Sequence, residues 1–515
     1  MAFVLIGFMG AGKSTVAAEL ADALGVAHRD SDALLEERLG HPVAREFELR
    51  GEPEFRAREE DLVCALLADA GPEDVVALGG GSVLSPRVRE ALAHHVTLLL
   101  DVDPFVAWER VHSAGNGDER PLARDRESFM ALAAERRTLY EQLADAVLAE
   151  PLPGGAPRAL AALRALSSAP RGTRLLWARS ASGEYPVFLG RGLLRSGALE
   201  DLSPLGRSRS RPFCVSDSHV AGLYAGALGE LAATITIEPG EASKTLASAQ
   251  RVWEALAAHG MTRADHVVAL GGGVVGDLAG FCAATYQRGV PVVQVPTTLV
   301  AQVDSAYGGK TGLDLPAAKN YVGAYHQPAA VLVDPDVLAT LPPAELAAGW
   351  VEVLKTALIA GGRLWDRVSA GGDVDEDTIL DCVRTKLAVV GADERDAGRR
   401  QVLNLGHTVG HAIEAATGYT RYRHGEAVGL GLLAALRLSG QDELRADVRE
   451  LLAAHALPVT LSGASAQDVL AASARDKKRV GEEVPFVLVR APGDVSVGNP
   501  VAAEELAAAI AELSV

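Results

Sequence analysis

Short, almost wholly apolar runs alternate with stretches of helical periodicity through the first 335 residues. The runs 3–6, 75–78 and 96–100 lack the polar alternation of a half-exposed sheet, which predicts strands buried on both faces. Between them, 14–24 and 59–68 repeat apolar residues every three or four positions, the period of helices that cover such a sheet. The alternation predicts a parallel α/β unit. It resumes after residue 173, with strands expected at 213–216, 267–270, 292–295 and 331–333. From Leu341 the pattern turns helical nearly to the end, interrupted by one short strand at 485–490. The stretch 150–173, EPLPGGAPRALAALRALSSAPRGT, opens and closes in Pro, Gly and Ser around a short Ala/Leu helix, the composition of a seam. The expected organisation is therefore an α/β unit over 1–165, a linker over 166–172, a second α/β unit over 173–335 and a helical unit over 336–515.

Composition narrows the functional classes. Forty-nine Lys and Arg against 67 Asp and Glu leave a net charge of −18 over 515 residues, which disfavours nucleic acid and anionic membrane surfaces as partners. Four scattered cysteines with no CxxC predict neither a disulfide framework nor a thiolate metal site. No apolar run is long enough to span a bilayer, and Lys13 ends the apolar opening with no basic segment before it, so a buried strand is expected there and not a signal peptide. A cytoplasmic protein is expected.

VVALGGG occurs at 75–81 and at 267–273, but the flanking segments do not correspond, so the two copies read as separate strand-to-glycine turns. The first strand leads into Gly7-Phe-Met-Gly10-Ala-Gly12-Lys13-Ser14-Thr15, which fits G-x-x-x-x-G-K-[ST] between a strand and a helix. Backbone N–H groups of such a loop surround phosphate oxygens, the lysine neutralises them and the serine ligates Mg2+. Further on, Asp30-Ser-Asp32 offers carboxylates for an acceptor hydroxyl, or simply a solvated helix start. GFMGAGKST, DSD, GEPEFR, LGGGSV, RPL and ERRTLY, in this order within 150 residues, resemble shikimate kinase. The resemblance implies a P-loop kinase fold that binds ATP with Mg2+ through Gly10, Gly12, Lys13, Ser14 and Thr15. It implies that Asp32 binds shikimate hydroxyls with Asp30 near the Mg2+, and that Arg56 and Arg136 clamp the shikimate carboxylate beside Gly79, Gly80 and Gly81. It implies a lid arginine at Arg120 that meets the phosphates, and an adenine-stacking arginine at Arg110.

In the second part, Gly271-Gly272-Gly273-Val-Val-Gly276 follows a strand but lacks the distant acidic residue of a dinucleotide fingerprint; Asp277 follows at once. Asn404-Leu-Gly-His407-Thr-Val-Gly-His411 places two histidines on one helix face, His424-Gly-Glu426 opens the next helix, and Glu352 sits on an earlier one with Lys355. One Glu and two His would give zinc three ligands and an open position, leaving a third histidine for chemistry; a bare HxxxH also occurs as ordinary hydrogen-bonded histidines. Lysines and arginines recurring in glycine-rich loops suggest a phosphate pocket or a solvated face.

Together PGEASKTL, LGGGVVGDLAGF, YQRG, VPTTLVAQVDSAYGGKTG, KNYVGAYHQP, EVLKTALI, LNLGHTVGHAIE, HGEAV and DKK resemble 3-dehydroquinate synthase over 173–515. The resemblance implies a Rossmann-like α/β domain followed by an α-helical metal-binding domain, and a homodimer formed through this part. It implies zinc or cobalt on Glu352, His407 and His424, and NAD against Glu241, Lys244, Gly272, Gly273, Asp277, Thr297 and Thr298. The substrate, 3-deoxy-D-arabino-heptulosonate 7-phosphate, would face Asp304, Lys310, Lys319, Asn320, Lys355, Lys386, Arg400, Asn404, His411 and Lys477, with Arg288 reaching its phosphate. His411, supported by Lys310, is the expected proton carrier. The whole reads as two enzymes of aromatic amino-acid biosynthesis on one chain.

Overall fold

Parallel strand pairing organises both units into which the chain divides, Met1–Ala178 with Pro186–Gly206, and Arg179–Tyr185 with Arg207–Val515. The computed structural model describes residues 1–113, 123, 125–149, 155–196, 210–315, 318–473 and 485–514. Among the described residues no helix is long and apolar enough to cross a membrane.

In the first unit the spatial order is His28–Asp30, Val75–Ala77, Phe3–Ile6, Val96–Asp101 and Ala146–Ala149, all parallel. Phe3 pairs with Val75 on one side and Val96 on the other, so the opening strand is central and all four of its residues are buried. The helix Glu52–Asp69 lays Leu62, Val63, Leu66 and Leu67 inward. Within the stretch read as a seam, the helix Ala156–Ser168 buries Ala159, Ala162, Leu163 and Leu166, and Leu175 beyond it pairs with Ala146.

The second unit carries Ala330–Val333, Val292–Pro296, His266–Gly271, Pro212–Asp217 and Ala233–Ile237 in that order, again parallel. The helix Gly273–Thr285 starts directly after the central strand and packs Val275, Leu278, Ala279 and Cys282 into a core with Phe213, Val215 and Ile235. An antiparallel hairpin, Lys310–Leu315 with Ala318–Tyr325, projects between these strands in sequence; no apolar alternation announces it.

The helical part explains how charged residues come to lie inside. Every residue from 348 to 358 of the helix Pro343–Ala360 is buried, so the helix is covered all round and Glu352 and Lys355 lie almost wholly inside. The helices His407–Ala416 and His424–Leu438 lie so close that a methyl on Gly431 would collide with the Gly406 carbonyl. The expectation of one isolated strand near the end is corrected: Phe486–Ala491 pairs antiparallel with Asp494–Asn499. A lone strand would leave its backbone groups unpaired, and Gly493 supplies the positive φ that the turn needs.

Candidate active sites

The glycine loop of the first unit runs from the strand Phe3–Ile6 to the helix Lys13–Leu24, with Gly10 and Gly12 at φ 78 and 87, conformations that other residues adopt at a cost. Lys13 folds its ammonium back onto the loop, donating to the carbonyls of Gly7 (2.9 Å) and Phe8 (3.1 Å). Ser14 donates to Asp30 Oδ2 at 2.6 Å, while Asp30 Oδ1 accepts from the amides of Asp32 and Ala33 and so starts the helix Ser31–Leu39. Thr15 is exposed on the first turn. Asp30 thus caps the helix, the second of the two offered readings, and also contacts Ser14.

Beside the loop, the amide of Gly79 donates to Ser31 Oγ at 2.8 Å, and a methyl on Gly79 would stand 2.5 Å from Asp32 Oδ1 and 2.7 Å from Glu59 Oε1. The glycine turn is therefore a floor on which Asp32 and Glu59 meet. Arg56 donates to Glu59 at 2.6 Å and to Glu52 at 3.3 Å, with Glu59 also taking Ser82 Oγ at 2.8 Å. Arg136 is buried on the helix Arg126–Leu143. Both arginines act on Tyr140, whose hydroxyl donates to the Gly80 carbonyl and which burial raises to about 12. Arg56, Glu59 and Ser82 thus form one hydrogen-bonded cluster beside the glycine turn, with Asp32 against the same turn and Arg136 joined to it through Tyr140. Glu59 and Ser82 went unnoticed in the sequence; the i,i+3 spacing of Arg56 and Glu59 was the available signal. Arg110 is exposed on the helix Pro104–Ser113, and Arg120 lies outside the described residues.

In the second unit, Glu352, His407 and His424 present one ligand atom each within 4.8 Å of one another. Oε1 of Glu352 lies 3.3 Å from His424 Nε2 and 3.6 Å from His407 Nε2. The remaining nitrogen of His407 faces the Leu405 carbonyl at 3.1 Å, which leaves Nε2 for the centre. Burial would lower the His424 imidazole, but Glu352 and Glu414 outweigh it and raise it to about 10. A pocket that recruits a proton so strongly is one that calls for a cation, and a Glu/His/His donor set suits zinc or cobalt.

A line of buried charge leaves this centre. Glu352 Oε2 meets Lys355 at 2.5 Å, Lys355 lies 3.6 Å from Asp304 Oδ1, and that oxygen accepts from Lys386 at 2.6 Å. Asp304 sits in a π-turn, Ala301–Ser305. Burial alone would raise its carboxyl, but Lys355 and Lys386 bring it down to about 2.

Asp304 also lines a cleft of about 1040 Å³ with Gly272, Gly273, Asp277, Thr298, Lys319 and His411. Gly272 and Gly273 open the helix Gly273–Thr285, and a methyl on Gly272 would reach Thr298 Cγ2 at 2.8 Å, so glycine lets Thr298 pack against the turn at the helix N-terminus, an end that favours anions. Lys244 donates to Asp277 at 2.5 Å and to Asn320, tying the hairpin to the glycine turn; Asn320 holds φ 53 there. Glu241 lines the same cleft. Thr297 is buried behind it, its amide bonded to the Gly271 carbonyl.

Other expected residues are placed differently. Lys310, exposed between buried neighbours, pairs with Asp396 at 2.5 Å. Arg400 is buried and donates to the carbonyls of Glu394 and Gly308. Asn404 ends the turn before the histidine helix, outside the cleft lining. Arg288 is exposed in the turn Tyr286–Arg288 and does not line the cleft. Lys477 lies outside the described residues.

Comparison with known proteins gives the same two-part division. The chain matches the family models for shikimate kinase over 9–153, for 3-dehydroquinate synthase N-terminal over 234–348 and for 3-dehydroquinate synthase C-terminal over 349–479. It is 42% identical over 356 residues to the 3-dehydroquinate synthase of Halorhodospira halophila (strain DSM 244 / SL1), covering 66% of this chain and 99% of that one. Identity to the same enzyme of Caulobacter vibrioides (strain NA1000 / CB15N) is 43% over 356 residues, covering 64% and 95%. Similar solved structures include a 2-deoxy-scyllo-inosose synthase complexed with carbaglucose-6-phosphate, NAD+ and Co2+, at 25% identity and TM-score 0.59 over 66% of this chain and 99% of that one. A 2-epi-5-epi-valiolone synthase from Streptomyces hygroscopicus subsp. jinggangensis 5008 with NAD+ and Zn2+ bound aligns at 27% identity and TM-score 0.58, covering 64% and 96%.

Proposed function

We infer that this chain, which belongs to the 3-dehydroquinate synthase family and carries a shikimate kinase domain ahead of it, works through the two sites built above. It is a bifunctional enzyme of the shikimate pathway: one half phosphorylates shikimate, the other cyclises 3-deoxy-D-arabino-heptulosonate 7-phosphate to 3-dehydroquinate and phosphate. The observation that carries the site assignment is the convergence of Glu352, His407 and His424 at the end of a buried Lys355–Asp304–Lys386 line that opens into a glycine-floored cleft.

In the kinase half, ATP with Mg2+ occupies the Gly10–Thr15 loop. Lys13 exchanges its two neutral carbonyl partners for phosphate oxygens, a stronger charge-assisted pairing. Asp32 orients the acceptor hydroxyl and Arg56 with Arg136 grips the carboxylate, so the hydroxyl is delivered in line. Arg120 completes the phosphate clamp in this reading.

In the synthase half, Gly272, Gly273, Glu241, Lys244, Asp277, Thr297 and Thr298 would hold NAD. Bound zinc or cobalt supplies Lewis acidity at the substrate hydroxyls, and NAD takes and returns a hydride, so that it is not consumed. The chain's own groups then hold and move charge. Lys355, Lys386 and Lys319 attract the anionic substrate, and Asp304 keeps the first two fixed and ionised. His411, half-exposed on the cleft wall, carries a proton, and Asn320 lines the same cleft; Lys310, Arg400, Asn404 and Lys477 belong to the substrate set only by the resemblance. A cytoplasmic homodimer belongs to the same reading.

The test is to incubate the metal-loaded chain with the heptulosonate phosphate and substoichiometric NAD+, and to follow released phosphate. Many phosphates per NAD, lost on chelation, are expected. No phosphate release overturns the site assignment. Shikimate-dependent ADP formation tests the other half.

A further inference from the structure

Glu414 closes the LNLGHTVGHAIE stretch and has been given no role above, yet it is buried on the helix His407–Ala416 and faces two residues of the synthase site. We propose that Glu414 is a positioning residue that ties the metal centre to the cofactor cleft, one carboxylate oxygen orienting His424 and the other holding Lys319. The inference rests on the reading of Glu352, His407 and His424 as the metal site.

The geometry divides the His424 ring cleanly. Its Nε2 faces Glu352 Oε1 at 3.3 Å, while Nδ1 faces Glu414 Oε2 at 3.6 Å. A histidine that gives its Nδ1 proton to a carboxylate keeps the Nε2 lone pair for a metal and gains basicity there. His407 shows the same division, but its outer acceptor is the neutral Leu405 carbonyl. His424 is thus backed by a full negative charge, where the acceptor beside His407 Nδ1 is neutral.

The second oxygen of Glu414 accepts from Lys319 Nζ at 3.1 Å. That ammonium lies 3.9 Å from Glu241 and 4.6 Å from the centre of the Tyr419 ring. Tyr419 takes a left-handed φ of 58, and its amide donates to the Glu414 carbonyl at 2.8 Å. The turn after the helix thus folds back to enclose the lysine on Glu414. A buried carboxylate is costly unless both oxygens are paired, and here the pairing spans from a metal ligand to a residue of the cleft wall.

His411, Glu414 and His424 also lie within 4.8 Å of one another, so a direct ligand role for Glu414 is the rival. Glu414→Gln decides between them, because it keeps the shape and removes the charge. Its dissociation constant for Co2+, measured by chelator competition, is expected to weaken about 10- to 100-fold, with a shifted visible Co2+ spectrum and retained stoichiometric binding. A constant within twofold of the parent chain and a superimposable spectrum would overturn the proposal. Loss of stoichiometric Co2+ binding equal to that of Glu352→Gln also overturns it, by making Glu414 a ligand. If circular dichroism shows Glu414→Gln unfolded, Glu414→Asp carries the same test: the charge stays but retracts by a methylene, and weakened Co2+ binding is again expected. A parent chain that binds no Co2+ would remove the metal reading itself, whereas normal parent binding with an unaltered variant removes only this role.

Discussion

Replacing Gly81 by alanine would test how the acceptor clamp of the kinase half is held. Its backbone, φ −96 and ψ −11, is one that alanine adopts freely, so any cost must come from the new methyl. That methyl would stand 2.5 Å from Cζ and Nη2 of Arg56, closer than real contacts allow. The guanidinium must move, but it is fastened to Glu59 at 2.6 Å and Glu52 at 3.3 Å, and Glu59 is itself fastened to Ser82. A displaced Arg56 cannot keep Glu59 and meet a substrate carboxylate as well. Losing one hydrogen bond to a charged group costs about 1.5–3 kcal/mol, or roughly 10- to 150-fold in kcat/KM for shikimate. The KM for ATP should not change, because the Gly7–Ser14 loop is untouched. The assay is coupled ADP release at saturating ATP with shikimate varied, beside a melting curve to show that the variant folds. A folded Gly81→Ala enzyme whose shikimate kcat/KM stays within twofold of the parent would refute the assignment of Arg56 to the substrate carboxylate.

A zinc-selective chelator should abolish phosphate release from the heptulosonate phosphate while Mg2+-dependent ADP formation continues; equal loss of both activities would contradict the division of labour between the halves. Asp304→Asn leaves Lys386, 2.6 Å away, and Lys355, 3.6 Å away, without their shared counter-charge, and should cost about 3–5 kcal/mol in urea unfolding. A loss under about 1 kcal/mol would mean that the buried line is not electrostatically coupled. His266 is pushed down to about 4 by burial, so the unfolded chain takes up its proton first as pH falls. Its contribution is intact above the unfolded value of about 6.5 and is lost between there and about 4, roughly 3 kcal/mol in all. His266→Gln should flatten the unfolding free energy across that interval, and an unchanged slope would assign it to other groups.

Much of the fold and both chemistries were legible along the chain, for a local reason. A phosphate loop needs contiguous backbone N–H groups followed by Lys13 and Ser14, so its whole mechanism is written in neighbouring residues. Strands such as Phe3–Ile6 and His266–Gly271 announce themselves because burial on both faces permits only apolar residues. The hairpin Lys310–Leu315 with Ala318–Tyr325 was not legible, because Gly, Lys and Asn serve the cleft there and erase the period of two. Nor was the second strand of the closing pair, Asp494–Asn499.

The amino-acid sequence by itself determined which residue types were available: a glycine loop with Lys13 and Ser14, the arginines Arg56 and Arg136, and a Glu and three His in helical segments. Only the tertiary structure decided their partners. It set His424 between Glu352 and Glu414, joined Lys386 to Asp304 across 82 positions, and turned the Arg400 guanidinium onto backbone carbonyls while Arg288 stayed exposed. The physical reason is that coordination and ion pairing act over a few ångströms of space, and the packing of helices that are buried all round, not their order in the chain, determines which charged side chains come that near.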